Sequence, residues 1–197
     1  MKQNDKLIRF LLTLLALSVI LNLCLVAVSF ADDLEAWTVS DEKEITTIKT
    51  YIYALKPAMK HKPDLTDRIA RAVSKYHDDV DVKLVLAIMM RESSFNPSAI
   101  GGSDCGLMQV NVWYHAKRYK VSIEDLLNVE TNIRIGCDIL KNIIEQRKPQ
   151  GFKYPWAFYN TNRLKIYDDK GNLVAGRIVY IRHVLKWYNK INRKVNK

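Results

Sequence analysis

Glu92 is the residue in this chain best placed to move a proton. It closes a short apolar stretch in which Val82, Val85, Leu86 and Met89 recur at helical spacing, so 82–92 reads as a mostly buried helix with Arg91-Glu92 at its C-terminal end. Ser93, Ser94, Asn96 and Pro97 stop that helix. Gly101, Gly102, Ser103 and Asp104 form a loop that returns the chain to a second apolar cluster, Gly106-Leu107-Met108-Gln109-Val110. The Glu92 carboxyl then emerges from an apolar wall and faces that loop across a cleft. Lost hydration and the free carbonyls of a helix C-terminus both disfavour the carboxylate, so Glu92 is expected to hold its proton near neutral pH. Such an acid suits glycoside cleavage, in which the leaving sugar oxygen must be protonated as an oxocarbenium-like transition state develops. A lone glutamate ending a helix reads better as a solvated side chain; the string around this one changes the weighing.

Other chemistries lack their residues. Asp78, Asp79 and Asp81 lack the spacing and distant Glu of a calcium loop and read as a solvated turn and cap. His61, His77, His115 and His183 are scattered without a His-Glu-x-x-His arrangement, and there is no Gly-x-Ser-x-Gly elbow or glycine-rich phosphate loop. No metal and no cofactor is expected. The formal net charge of +10 and pI near 9.5 suit an anionic partner such as acidic lipid or a polyanionic wall. The basic residues are spread out, with no aromatic-interleaved stripe, so nucleic acid is not expected.

Glu92-Ser93, Phe95, Pro97, Ala99 and then Gly106-Leu107-Met108-Gln109 resemble, in order, the signature of the lysozyme-like lytic transglycosylases of the soluble-type (SLT) family. The resemblance continues through Asn132-Ile133, Gly136 and Leu140, through Tyr159-Asn160, and to Tyr180, Val184 and Leu185, covering about residues 66–190. Its flavour is that of the small enzymes accompanying secretion and conjugation machines. The family's Ser shortly after the Ala appears here as Gly101 or is displaced to Ser103, and Thr161-Asn162 replaces the closing Ala-Gly of its Ala-Tyr-Asn-Ala-Gly motif.

The resemblance implies a mainly α-helical, goose-type or SLT lysozyme-like domain that cleaves the β-1,4 bond between N-acetylmuramic acid and N-acetylglucosamine in peptidoglycan glycan strands. Glu92 would act as acid and then base. Tyr159 inherits the family tyrosine near that acid, and Gln109, Asn111, Tyr159, Asn160 and Tyr180 are the candidates for hydrogen bonds to the acid or to the N-acetyl groups. Only one carboxylate occupies a convincing site, whereas hydrolysing glycosidases ordinarily use two, which favours 1,6-anhydromuramyl products. A hydrolysing muramidase of goose-lysozyme type and a wall-binding assembly factor without turnover are the alternatives. An envelope-spanning secretion, conjugation or pilus machine is the expected partner.

Several elements must position these residues. Ile45, Ile48, Ile52 and Leu55 mark a packing helix over Asp41–Met59, bent or ended by Pro57, and Asp64 is placed to cap a helix carrying Ile69, Ala70, Val73 and Tyr76. Trp113 and Tyr114 read either as stacking platforms for sugar or as core. Ser122 and Asp125 have capping-box spacing, and Thr131–Gln146 reads as a strong helix in which Gly136 allows a close neighbour. Asp168-Asp169-Lys170-Gly171 marks a turn between two short alternating runs, a small β-hairpin at the cleft rim. Ile178, Ile181, Leu185, Tyr188 and Ile191 trace a last amphipathic helix ending in a basic tail.

Lys2, Lys6 and Arg9 precede an apolar run from Phe10 to Phe30, and Ser29-Phe30-Ala31 fits a cleavage site. Residues 1–31 are therefore expected to be an export signal, or alternatively an uncleaved membrane anchor, with 32–65 an extension and packing helix and 66–197 the domain in a periplasmic or envelope location. Removal of Cys24 with the signal leaves Cys105 and Cys137 as an even pair in an oxidising compartment, expected as a disulfide or else as two small buried thiols.

Overall fold

A computed structural model describes residues 41–160 and 175–195, with a few side chains inside that range left aside. The chain divides into two compact units, Met1–Lys43 and Glu44–Lys197, and apart from residues 41–43 everything that follows lies in the second. It is helical: residues 41–55 (α1), Pro63–Tyr76 (α2), Val82–Glu92 (α3), Val112–Tyr119 (α4), Ile123–Leu127 (α5), Val129–Arg147 (α6) and Ala175–Val195 (α7), with 3-10 turns at Pro57–His61, Lys148–Gln150 and Pro155–Asn160. The expected hairpin over 164–175, the Thr161-Asn162 departure and the apolar run at 10–30 lie outside the described residues. Among those described, no helix is long and apolar enough to cross a membrane.

The core is a layer of helices around α3. Leu84 through Met89 are all buried, so this helix is apolar all round, and α7 packs along it while α2 packs on α6. The packing helix stops at Leu55 rather than Met59, because Lys56, before Pro57, is driven to extended backbone (φ −136°, ψ 91°). Asp64 does not cap α2: Pro63 occupies the first helical position and Lys62 precedes it without a side-chain cap, which leaves Asp64 inside the first turn. On α7 the buried stripe is Tyr180, Ile181, Val184 and Ile191, whereas Ile178 is partly exposed, about 160° round the helix from Tyr180.

The stretch 100–111, read from sequence as a loop over 101–104 leading into the apolar cluster 106–110, folds into a miniature antiparallel sheet of Ile100–Gly101 (β1), Asp104–Cys105 (β2) and Val110–Asn111 (β3). The register pairs Ile100 with Cys105, Cys105 with Val110 and Asp104 with Asn111. Asn132, one of two fully buried polar residues among those described, holds this sheet to α6. Its Oδ1 accepts from the Met108 amide at 2.8 Å while its Nδ2 donates to the Cys105 and Leu126 carbonyls at 2.9 and 2.7 Å. Gly106 makes the fit possible: at φ +77° a Cβ there would lie 2.2 Å from Asn132 Nδ2 and 2.4 Å from the Leu126 oxygen. Gly136 opens the face of α6 against which the Met108 side chain seats.

Candidate functional site

The Asp81 carboxylate caps α3 at its start, accepting from Lys83 N at 2.8 Å, and Ser93 ends it. Two consecutive left-handed residues, Ser94 (φ 52°) and Phe95 (φ 59°), then reverse the chain, a strained turn held by burial of the Phe95 ring and by Lys56 Nζ donating to Ser94 O at 2.7 Å. The Ser93 hydroxyl donates across the reversal to Leu107 O at 2.7 Å. Thus the 106–109 segment is fixed beside the end of α3, and Glu92 opens into a groove of about 620 Å³. The sheet and α4 supply Asp104, Gln109, Asn111, Tyr114, His115 and Arg118 to its lining; α6 supplies Ile139, Asn142, Ile143 and Gln146, and the 155–160 turn supplies Phe158, Tyr159 and Asn160.

The electrostatics of Glu92 follow from that wall. Burial raises its pKa above the usual glutamate range, the charge of Asp104 adds a smaller push in the same direction, and Tyr180 and Arg91 oppose them. The Tyr180 hydroxyl is near enough to favour the carboxylate, yet neither it nor Glu92 Oε1, both buried, makes a hydrogen bond of ordinary geometry. A protonated Glu92 would relieve that pairing of orphaned atoms.

The structure brings most sequence-selected residues to this groove. Gln109 (φ 50°) lines it, with Nε2 tied to the Ala99 and Gly106 carbonyls at 3.1 and 3.0 Å. Its Oε1 occupies the space that a side chain at Gly101 would need, 2.7 Å from the Cβ position, so a serine there would displace the Gln109 side chain. Asn111 Nδ2 donates to Asp104 Oδ1 at 2.6 Å across the β2–β3 pair, and its Oδ1 accepts from Tyr114 N at 3.2 Å. Tyr159 donates to Met108 O at 3.0 Å; burial and the Glu92 charge raise its pKa well above the usual value. Asn160 stands exposed at the groove edge. Tyr180 is not part of the groove lining: it is buried beside Glu92, between the Trp156 ring and the Arg91 guanidinium.

Among the groove residues that the sequence reading did not select are three ionisable ones, Asp104, His115 and Arg118. Asp104 sits opposite Asn111 only because 100–111 forms a sheet, and two-residue strands give no periodic signal. His115 is held below the usual histidine pKa by burial, with Arg118 adding to the effect and Asp104 opposing it, and its Nδ1 is a further buried atom without a partner. Trp113 and Tyr114 are not core residues, being 81% and 66% exposed. The expected disulfide is absent: Cys105 and Cys137 are free, buried thiols. The Cys105 carbonyl accepts from Asn132 Nδ2 at 2.9 Å, and Cys137 lies about 7.5 Å further along α6 than Asn132 and about 140° around the helix from it. Burial pushes the Cys137 thiol up to about 12.

The profile of the family described as Transglycosylase SLT domain matches residues 69–172, more than half of the chain. No curated protein and no solved structure gives a significant match.

Proposed function

The chain belongs to the transglycosylase SLT family, whose activity is the lytic cleavage of peptidoglycan, and from that premise we propose that it is a lytic transglycosylase in which Glu92 is the sole proton-transfer group. The observation that carries this reading is the Glu92 carboxyl: half-buried, with one oxygen wholly buried and unpartnered, and biased toward its protonated form where it opens into a groove. Glu92 gives its proton to the glycosidic oxygen between muramic acid and glucosamine units. The bond to the muramyl anomeric carbon breaks, its electron pair stays on the leaving oxygen, and the neighbouring acetamido oxygen meets the positive charge. Glu92, now a carboxylate, removes the proton of the same sugar's C6 hydroxyl. That oxygen attacks the anomeric carbon, displaces the acetamido oxygen and closes a 1,6-anhydro ring, restoring the acid. Intramolecular attack has effective molarities of about 10⁵ M or more when well oriented, enough to outrun bulk water in a partly closed groove.

Within this reading Gln109 and Tyr159 brace the walls, Tyr180 tunes the acid from behind, and Asn111 and Asn160 face the sugar. The basic balance of the chain and the apolar run at 10–30 are consistent with export to the envelope and service to a machine that must pass the wall. A hydrolysing muramidase is the second reading, which Asp104 favours because a second carboxylate on the groove could activate water. Digestion of purified peptidoglycan by the protein without residues 1–31, followed by mass spectrometry, separates them. Anhydromuramyl ends, one water lighter than hydrolysis products, are expected; reducing muramic acid ends as the main product overturn the transglycosylase reading.

A further inference from the structure

We propose that Asp104 is a second catalytic residue of the groove: its free carboxylate oxygen accepts the N–H of the muramyl acetamido group and holds that group's carbonyl oxygen against the anomeric carbon. The proposal rests on the transglycosylase reading and supplies the part that Glu92 cannot, namely stabilisation of the cation left when the glycosidic bond breaks.

The geometry around Asp104 is that of a side chain held in place for an acceptor role. It stands on β2, half-buried, and lines the same groove as Glu92. One oxygen, Oδ1, is committed to Asn111 Nδ2 at 2.6 Å. Asn111 is itself oriented, since its Oδ1 takes the Tyr114 amide at 3.2 Å in the first turn of α4, and only this amide orientation satisfies both contacts. No other hydrogen bond among the described residues reaches the carboxylate, so Oδ2 is left for a ligand. Nor is its charge cancelled by a paired cation. His115, the nearby titratable group on α4, is biased by burial toward its neutral form, and Arg118 is turned to the Tyr119 ring and to Asp138 at 4.0 Å.

An acetamido N–H is the group of the substrate that such an oxygen suits. As the carbonyl oxygen of the acetamido group moves onto the anomeric carbon, positive charge spreads to its nitrogen. The N–H becomes a stronger donor, so its bond to a carboxylate tightens in the transition state more than in the ground state, which is the condition for lowering the barrier. When O6 later displaces the acetamido oxygen, the charge on nitrogen disappears and the contact loosens again. No proton needs to leave the nitrogen, and Asp104 stays ionised throughout.

The test compares wild type, Asp104→Asn and Asp104→Ala, with melting temperatures as the check on folding, using soluble glycan fragments with intact and with chemically de-N-acetylated muramyl units. Asp104→Asn presents an N–H where the acceptor is needed, and Asp104→Ala removes the group without inverting it. Both are expected to lose about 10²–10³ in kcat with little change in KM on the acetylated substrate, and to lose no further activity on the de-N-acetylated one, where no acetamido oxygen remains to be held against the anomeric carbon. The basic limb of the pH–rate profile should also move to lower pH, because the negative charge of Asp104 is one of those surrounding Glu92, with Arg91 on α3, Tyr180 on α7, Tyr159 on the 155–160 turn and His115 on α4. Anhydro products from wild type together with unimpaired kcat in both variants would overturn the role of Asp104 and leave the transglycosylase reading standing. The same fold-loss on both substrates would overturn the acetamido contact. Reducing ends from wild type that vanish in Asp104→Asn would make Asp104 a base for water, overturning this proposal along with the transglycosylase reading.

Discussion

The two walls of the groove are built on opposite terms. On one side, α3 is buried on every face, and the 106–109 segment beside Glu92 is pinned by Ser93, Asn132, Tyr159 and the Gln109 amide, with Gly106 and Gly136 removing every atom that would hold the layers apart. On the other, α4 carries an 81% exposed Trp113 and a 66% exposed Tyr114, and it is tied to the sheet by the Val112 amide on Ser103 O at 2.8 Å and by the chain from Tyr114 through Asn111 to Asp104. Proton transfer demands a dry and immobile acid, so the first wall spends side chains on internal hydrogen bonds. Holding a polymer demands accessible surface, so the second leaves its aromatics in water. The contrast predicts that substitutions on the first wall act through stability or chemistry, and those on the second through binding.

The largest effect belongs to Glu92→Gln. Loss of a general acid–base group costs about 10²–10⁴ in rate, and here one residue serves both steps. Cleavage by this variant should be near background while its circular dichroism matches wild type; substantial residual turnover would remove Glu92 from the mechanism. Gly106→Ala comes next, because a methyl at φ +77° has to displace Asn132 or the Leu126 carbonyl. A loss of about 3–5 kcal/mol, read as a fall in melting temperature of roughly 10 °C or more, is expected. Gly136→Ala, which meets the more yielding Met108 side chain, should cost about 1–3 kcal/mol in the same assay. A melting temperature unmoved by either glycine change would contradict the close packing claimed for this wall.

Glu92→Gln also sharpens the comparison through stability. A carboxyl whose folded pKa is raised binds more protons in the native than in the unfolded state, so its contribution to stability falls as pH rises from the ordinary glutamate pKa through the folded value. The neutral Gln avoids that loss. The variant should therefore melt above wild type at neutral pH, with the gain vanishing below the unfolded glutamate pKa; an equal or lower melting temperature at neutral pH would mean the acid is not desolvated. The smallest effect is expected on the second wall. Trp113→Ala should leave the stability within about ±0.5 kcal/mol of wild type and weaken glycan binding by about 1 kcal/mol, roughly fivefold in KM.

The same division governs what could be read from the chain beforehand. The Glu92 helix was legible to the residue, Val82–Glu92, because its apolar spacing and the Ser93-Ser94 stop signal are local. The last long helix before the 155–160 turn, α6, was legible to within two residues, Val129–Arg147 against the expected Thr131–Gln146, and the Ser122/Asp125 capping box forms as its spacing implies. The sheet at 100–111 was not legible, since strands of two residues carry no alternation and their register is fixed at a distance by Asn132. With the sheet missed, Asp104 could not be seen to face Asn111, and the groove seemed to hold one carboxylate where it holds two. The disulfide failed for a related reason: two cysteines can be counted from sequence, but their placement depends on a helix rotation that counting does not contain.

Burial in the first wall raises the Glu92 pKa above that of an ordinary glutamate. The most direct test is a carbon-13 side-chain titration of Glu92 by NMR in the folded, substrate-free protein, with Glu92→Gln used to assign the resonance. A midpoint clearly above the usual glutamate range, falling when Asp104 is replaced by Asn, is the predicted result. A midpoint at or below that range would show a solvated, ionised side chain and contradict the account.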